Sequence, residues 1–296
     1  MSPSIIERMG FEKDDRVVII HADDIASSHA ANAAAFECLE SGIASCGSVI
    51  VPAAWLMEAA HKCRQNKNFD IGVHLTLTSE YGTCRWRPVS SVDKNTGLLD
   101  DEGYLWKTTA QAVMNADPKA AESEMRAQVE LALQNGIDVT HLDTHMVTVL
   151  HPKFIHSYLA LAEEYRIPAF LPRLTKEQIV ALGLGEYADF FIDLIKKLEE
   201  SKFPLLDYII IDTLGVQENK AAFYIELLDS LKPGLTHLLF HPAKKDPELE
   251  AMCQDSESRY QDYRAFTDPR LLEHIEADEA KIIGYREIRK WFRENY

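Results

Sequence analysis

Short β-branched runs alternate with amphipathic stretches from one end of the chain to the other. The first run, Arg16-Val17-Val18-Ile19-Ile20-His21-Ala22, predicts a buried strand that ends abruptly in Asp23-Asp24. Ser27 or Ser28 caps a predicted helix that runs to about Gly42, a glycine suited to C′. The unit then repeats: strands are predicted at Gly47–Val51, Asp70–Leu75, Thr140–Thr144, Ile167–Leu171, Tyr208–Asp212, Thr236–His241 and Lys281–Gly284. Helical spacing separates them, at Ala54–Lys67, Pro118–Asn135, Pro152–Tyr165, Thr175–Leu182, Glu186–Ser201, Asn219–Leu231 and Asp268–Ala277, and a closing helix covers Tyr285–Asn295.

Strict alternation of this kind predicts parallel strands joined by crossover helices. About eight such units in one chain point to an α/β, TIM-barrel-like (β/α) barrel more than to an open sheet. A dinucleotide fold is disfavoured, because no G-x-G-x-x-G follows the first strand. No linker or internal repeat interrupts the pattern, so residues 1–296 read as a single barrel domain. The pattern breaks once, after the third strand. Residues 76–117 are rich in Gly, Pro, Asp and Trp, and an insertion of that length is usually functional.

Composition narrows the chemistry. With 46% hydrophobic residues in 296, the chain can bury a large core. A net charge of −16 without a basic patch argues against nucleic acid and against an anionic membrane surface, and no apolar stretch is long enough to span a bilayer. The N-terminal residues carry Glu7 and Arg8 where a secretion signal would be apolar, and five cysteines form no C-x-x-C pair. The expectation is a cytoplasmic protein with reduced thiols, in which any metal uses His and carboxylate ligands. Homo-oligomerisation is left open.

In a barrel, catalytic groups sit at the C-terminal ends of strands. Those ends carry Asp23 and Asp24, His74, Asp143 and His145, and His241 followed by Pro242. One Asp with two His is a usual way to hold a divalent cation for hydrolysis, and a second carboxylate is needed to take a proton from water. Each feature has a bland reading as well. Asp-Asp after a strand is commonly a turn or cap, His141 and His145 could be structural, and His241 could simply end a strand. Their joint placement at strand ends favours a metal hydrolase and nothing narrower.

At these positions the sequence resembles the YdjC-like (ChbG-type) carbohydrate deacetylase family. The family's A-D-D-F-G opening corresponds to Ala22-Asp23-Asp24-Ile25-Ala26, followed by Asn32 and then Gly42-Ile43-Ala44-Ser45. Its I-G-x-H-x-x-L-T element corresponds to Ile71–Thr78, with His74 as the histidine. H-L-D-[ST]-H stands intact at His141–His145, H-P-A at His241–Ala243, and the final Y-R-E at Tyr285–Glu287.

The resemblance implies a barrel-like α/β fold and a divalent metal ion, Mg2+ above all with Zn2+ as the other candidate. It also implies removal of an acetyl group from an N-acetylated amino sugar, a small carbohydrate substrate. Carried over, Asp24, His74 and His145 are the ligands, Asp23 is the base and His241 the acid, with His141 and Asp143 orienting ligands.

Three departures bear on the substrate. Family members often follow H-x-D-[ST]-H with further histidines, where this chain has Met146, Val147, Thr148 and Val149. The family's Phe-Gly is Ile25-Ala26 here, and His21 stands where the family favours Asn. Two other readings remain: a phosphoesterase on the same scaffold, and a non-catalytic sugar-binding protein using Trp55, Trp86, Tyr104 or Trp106 as a platform.

Overall fold

The computed structural model describes residues 4–40, 43–215, 218–277 and 280–296; the predicted C′ role of Gly42 lies outside them. Seven parallel strands form one sheet: β1 (Arg16–Ile25), β2 (Cys46–Val49), β3 (Ile71–Leu75), β4 (Val139–Thr144), β5 (Tyr208–Ile210), β6 (Gly234–Phe240) and β7 (Lys281–Ile282). The order is β4-β3-β2-β1-β6-β5, with β7 paired to β1.

The two sheet edges meet through residues 168–173. Leu142 N–H donates to the Pro168 carbonyl (2.9 Å) and Phe170 N–H to the Leu142 carbonyl (2.8 Å). Leu206 N–H donates to Leu171 (3.0 Å) and Arg173 N–H to Leu206 (2.7 Å), which carries the ring to the start of β5. The predicted fifth strand is therefore a stave held by isolated bridges, because Pro168 and Pro172 remove two of the donors that a ladder needs.

The last predicted strand shrinks to two residues and takes no stave of its own. On the edge of β1 that faces β2, Ile283 N–H reaches the Val18 carbonyl (3.0 Å) and Ser45 N–H reaches Ile20 (2.9 Å). The two segments share that edge, β7 below and β2 above.

The barrel interior is partly polar. His21, His141 and His237 are fully buried in it, with His21 4.8 Å from His237 and 5.1 Å from His141, centroid to centroid. Tyr285, the first residue of the closing helix Tyr285–Asn295, stacks on His141 at 3.9 Å and lies 3.0 Å from His237 Nδ1 through its hydroxyl. Gly72 of the I-G-x-H element is required by this packing, since a Cβ there would come within 2.6 Å of the His141 ring. Burial, reinforced by neighbouring His21, holds His141 well below the ordinary imidazole range and brings His237 down to about 3.

Such histidines stay neutral when folded but take up protons when unfolded, so stability is full above about pH 6.5 and falls as pH drops toward 3. Between pH 7 and pH 5, urea unfolding should show a loss of about 2 kcal/mol assignable to His237 alone. His237→Gln should lose correspondingly less over the same interval; an unchanged slope would show that His237 does not drive it.

Strand β1 ends in an irregularity, a register shift against β2 between Ala22 and Ile25. Asp24 has φ 59° and Ala26 φ 76°, so two L-residues occupy the left-handed region within three positions. Ala26 stands where the family pattern has glycine, the residue that takes this conformation without a Cβ penalty. Ala26→Gly is expected to stabilise the fold by about 0.5–1 kcal/mol, read as a raised urea midpoint. A lowered midpoint would mean that the alanine methyl contributes more by packing than its backbone costs.

Candidate active site

The kink at Asp24 decides how the site is built. Neighbouring residues of a regular strand face opposite ways, but the left-handed Asp24 brings both carboxylates of the pair into the barrel mouth. The turn is pinned by the buried Asn32 of helix His29–Glu40, whose Oδ1 accepts the Ala26 N–H at 2.7 Å.

Asp24 Oδ1 lies 3.6 Å from His74 Nε2 and 3.4 Å from His145 Nδ1. The three side chains are buried and their donor atoms fall within 4.8 Å of one another. The ring orientations are set from behind. His74 Nδ1 faces Asp143 Oδ2 at 3.1 Å, and because a carboxylate only accepts, Nδ1 carries the proton and Nε2 offers its lone pair. His145 Nε2 likewise faces both oxygens of Glu80, at 3.0 and 3.1 Å, which frees Nδ1. Ser48 of β2, within 3.4 Å of Asp23, His74 and Asp143, ties the group together.

Asp23 lies beside this triplet. Its Oδ1 is 3.0 Å from His21 Nδ1, and its Oδ2 is 3.8 Å from His241 Nε2. The His241 main chain is anchored by its N–H to Asp262 Oδ2 (3.0 Å), while its buried Nδ1 has no hydrogen-bond partner. His141 is set deeper, 2.9 Å from His21 Nε2, and His21 in turn lies 3.0 Å from Asp23 Oδ1 and 3.7 Å from Asp143 Oδ2.

Charge explains the titration of the group. Burial pushes Asp24 upward, but the Arg259 guanidinium, 2.8 Å from Oδ2, and His145 hold it well below the usual carboxylate range. Burial opposes protonation of His145, yet Glu80 and Asp24 raise it to about 10. Burial and then Arg259 lower His241. Five carboxylates, from Asp23, Asp24, Glu80, Asp143 and Asp255, line the cavity with one guanidinium, Arg259, which pairs with Asp24 and Asp255, so the cluster has the excess negative charge that a divalent cation would offset. A divalent ion would take the place of the second proton that Glu80 and Asp24 favour on His145, and two imidazole nitrogens with one carboxylate oxygen are then a fitting donor set for it.

The 76–117 insertion supplies part of this site. It delivers Glu80, Tyr81 and Trp86, whose ring meets His145 edge-on at 6.0 Å. Buried Glu124 and Gln128 of helix Pro118–Gln134 pin its backbone at Thr76, Val89 and Ser90. Glu80 and Arg259 were missed in the sequence. Glu80 sits in an aperiodic loop, and Arg259 lies on helix Ser256–Phe266, between the predicted strand Thr236–His241 and the predicted helix Asp268–Ala277, where the pattern predicts no element; its only trace is the Asp255–Arg259 spacing of four. Trp55, Trp86, Tyr104 and Trp106 do not line the cavity among the described residues, so the platform reading lacks its geometry.

A family model described as YdjC-like protein matches residues 17–277. A carbohydrate deacetylase of Thermus thermophilus is 34% identical over 90% of this chain and 92% of its own length. A carbohydrate deacetylase of Thermoanaerobacter pseudethanolicus is 26% identical over 91% and 98%. The crystal structure of an Enterococcus faecalis protein, provisionally named for cellobiose-phosphate cleavage, superposes with a TM-score of 0.76. It covers 93% of this chain and 99% of that one at 21% identity, a likeness of fold.

Glu80→Gln should weaken binding of a divalent ion about ten- to a hundredfold in calorimetric titration, the usual effect of losing a partner that orients an imidazole ligand. Unchanged affinity would remove Glu80 from that role.

Proposed function

The chain belongs to the YdjC-like protein family, and from that premise we propose that it is a metal-dependent hydrolase removing the acetyl group from N-acetylated amino sugars. The observation that carries this reading is the convergence of the Asp24, His74 and His145 donor atoms beside a second carboxylate, Asp23, that faces His241. Relatives named carbohydrate deacetylases, matched over nine-tenths of the chain, support the reaction class.

In this proposal Asp24, His74 and His145 hold the ion. When bound, a divalent ion supplies Lewis acidity, lowering the pKa of water and offsetting charge on the amide oxygen. Magnesium is the ion implied by resemblance, while two imidazoles suit zinc at least as well.

The remaining steps belong to side chains. Asp23 Oδ2 takes the proton of the water that attacks the acetyl carbon. The tetrahedral adduct collapses only when its nitrogen is protonated, because an amine leaves poorly as an anion. His241 Nε2, 3.8 Å from Asp23 Oδ2, gives that proton. Asp143 and Glu80 hold the ligand rings in place throughout.

A phosphoesterase reading draws less support. Arg259 is the only arginine or lysine lining the cavity among the described residues, and Asp24 and Asp255 already engage it.

The test is amine release from N-acetylated mono- and disaccharides, with metal analysis of each protein. Asp23→Asn should keep its metal and lose about 10²-fold or more in turnover, whereas Asp24→Asn should lose metal. His241→Ala should depress turnover on amides far more than on activated acetyl esters, whose leaving groups need no proton. Equal losses on both substrates would retire His241 as the acid.

A further inference from the structure

One half of the barrel mouth has no counterpart in the chemistry above. The cavity that holds the triplet has a volume of about 330 Å³, several times what an acetyl group fills when one water takes about 30 Å³. Around the triplet its lining is polar, with Asp23, Asp24 and His74 from β1 and β3, Asp143 and His145 at the end of β4, and His241 and Arg259 beyond β6. Its other side, over β4 to β6, is built from Met146, Leu184, Phe191, Leu194, Ile195 and Leu239, together with further aliphatic side chains.

The apolar lining continues to the rim. Met146 is 52% exposed and Leu182 37%, so solvent meets methyl groups at the entrance as well as inside. Met146 and Val147 are also strained. Both hold left-handed backbone (φ 52° and 57°), a genuine outlier for a β-branched residue, and this turn directs them to the cavity directly after His145. They occupy the positions where the related motif carries histidines.

Apolar walls discriminate between substrates. A second sugar ring seated there would bring hydroxyls against leucine and isoleucine, each losing water without gaining a partner. An alkyl group would gain by burial at the same wall. Resting on the deacylase reading, we infer that the substrate carries an apolar substituent of roughly six to ten carbons, lodged in the β4–β6 half of the cavity while its amide lies over Asp24, His74 and His145. The substituent is borne either on the acyl side of the amide or as an aglycone on the sugar.

Two substrate series, assayed with the metal-loaded protein by amine release, distinguish the sources. One is glucosamine N-acylated with acetyl, butanoyl, hexanoyl, octanoyl and decanoyl groups; the other is N-acetylglucosamine glycosylated to methyl, butyl, hexyl, octyl and decyl alcohols. The expected result is a kcat/KM that rises about threefold per methylene over the first several carbons in one series, and that series identifies the bearing end. Leu194→Gln should flatten the rise. Met146→Asn, at the exposed rim and with a residue that tolerates left-handed backbone, should reduce it while keeping the fold. Flat or falling kcat/KM in both series, with amine still released from N-acetylglucosamine or its disaccharide, overturns the inference and leaves the deacetylase reading standing. No amine from any substrate removes that reading, and the inference with it.

Discussion

The site depends on a backbone conformation that a regular strand forbids. Asp23 and Asp24 are adjacent, and extended backbone would send one carboxylate into the barrel mouth and the other away from it. The left-handed φ of 59° at Asp24 removes that alternation, and φ of 76° at Ala26 completes the turn. What holds the turn is hydrogen bonding: Asn32 accepts the Ala26 N–H, and its own amide donates to Trp55 and Glu58. Arg259 then fixes Asp24 from a helix 235 residues away, so strain at one strand end is balanced by contacts from two separate helices.

Charge compensation follows from that placement. Burying two neighbouring carboxylates is costly unless cations or donors meet them. Asp24 receives Arg259, while Asp23 has no guanidinium or ammonium against it among the described residues: the Ser48 hydroxyl donates at 3.4 Å and His21 Nδ1 lies 3.0 Å away. Behind His21 stand His141 and His237, kept neutral by burial, so the interior beneath Asp23 offers polar rings without fixed charge. Asp23 is thus the less neutralised member of the pair, as suits its proposed role as the base.

Much of this was legible in the residues. β-Branched runs marked β1, β2, β3, β5 and β6 because buried parallel strands need apolar residues on both faces, and the polar groups at their ends marked the mouth. Legibility failed where tertiary contact decides. Ile167–Leu171 has strand composition, but Pro168 within it and Pro172 just after it reduce it to bridges; Lys281–Gly284 pairs for two residues because β2 already occupies the upper edge of β1. Glu80 and Arg259 carry no periodicity linking them to the triplet, since an aperiodic insertion and a distant helix converge only after the barrel closes.

The division of the mouth into polar and apolar halves has a topological origin. The proposed ligands and base come from β1, β3 and the end of β4, where a shift of one position would break the geometry; their spacing is accordingly rigid. The apolar half comes largely from residues 146–195: the turn after β4, the closing stave at Phe170, Leu171 and Pro172, and the helical segments Lys176–Ala181 and Ala188–Glu200 with the link between them. Side chains there can change without moving Asp24, His74 or His145, because no hydrogen bond joins those helices to the triplet among the described residues. The Met146-Val147 turn is the point where the halves touch: it begins one residue after a proposed ligand and ends in the apolar wall. A scaffold built this way can keep one reaction and alter what it is performed on.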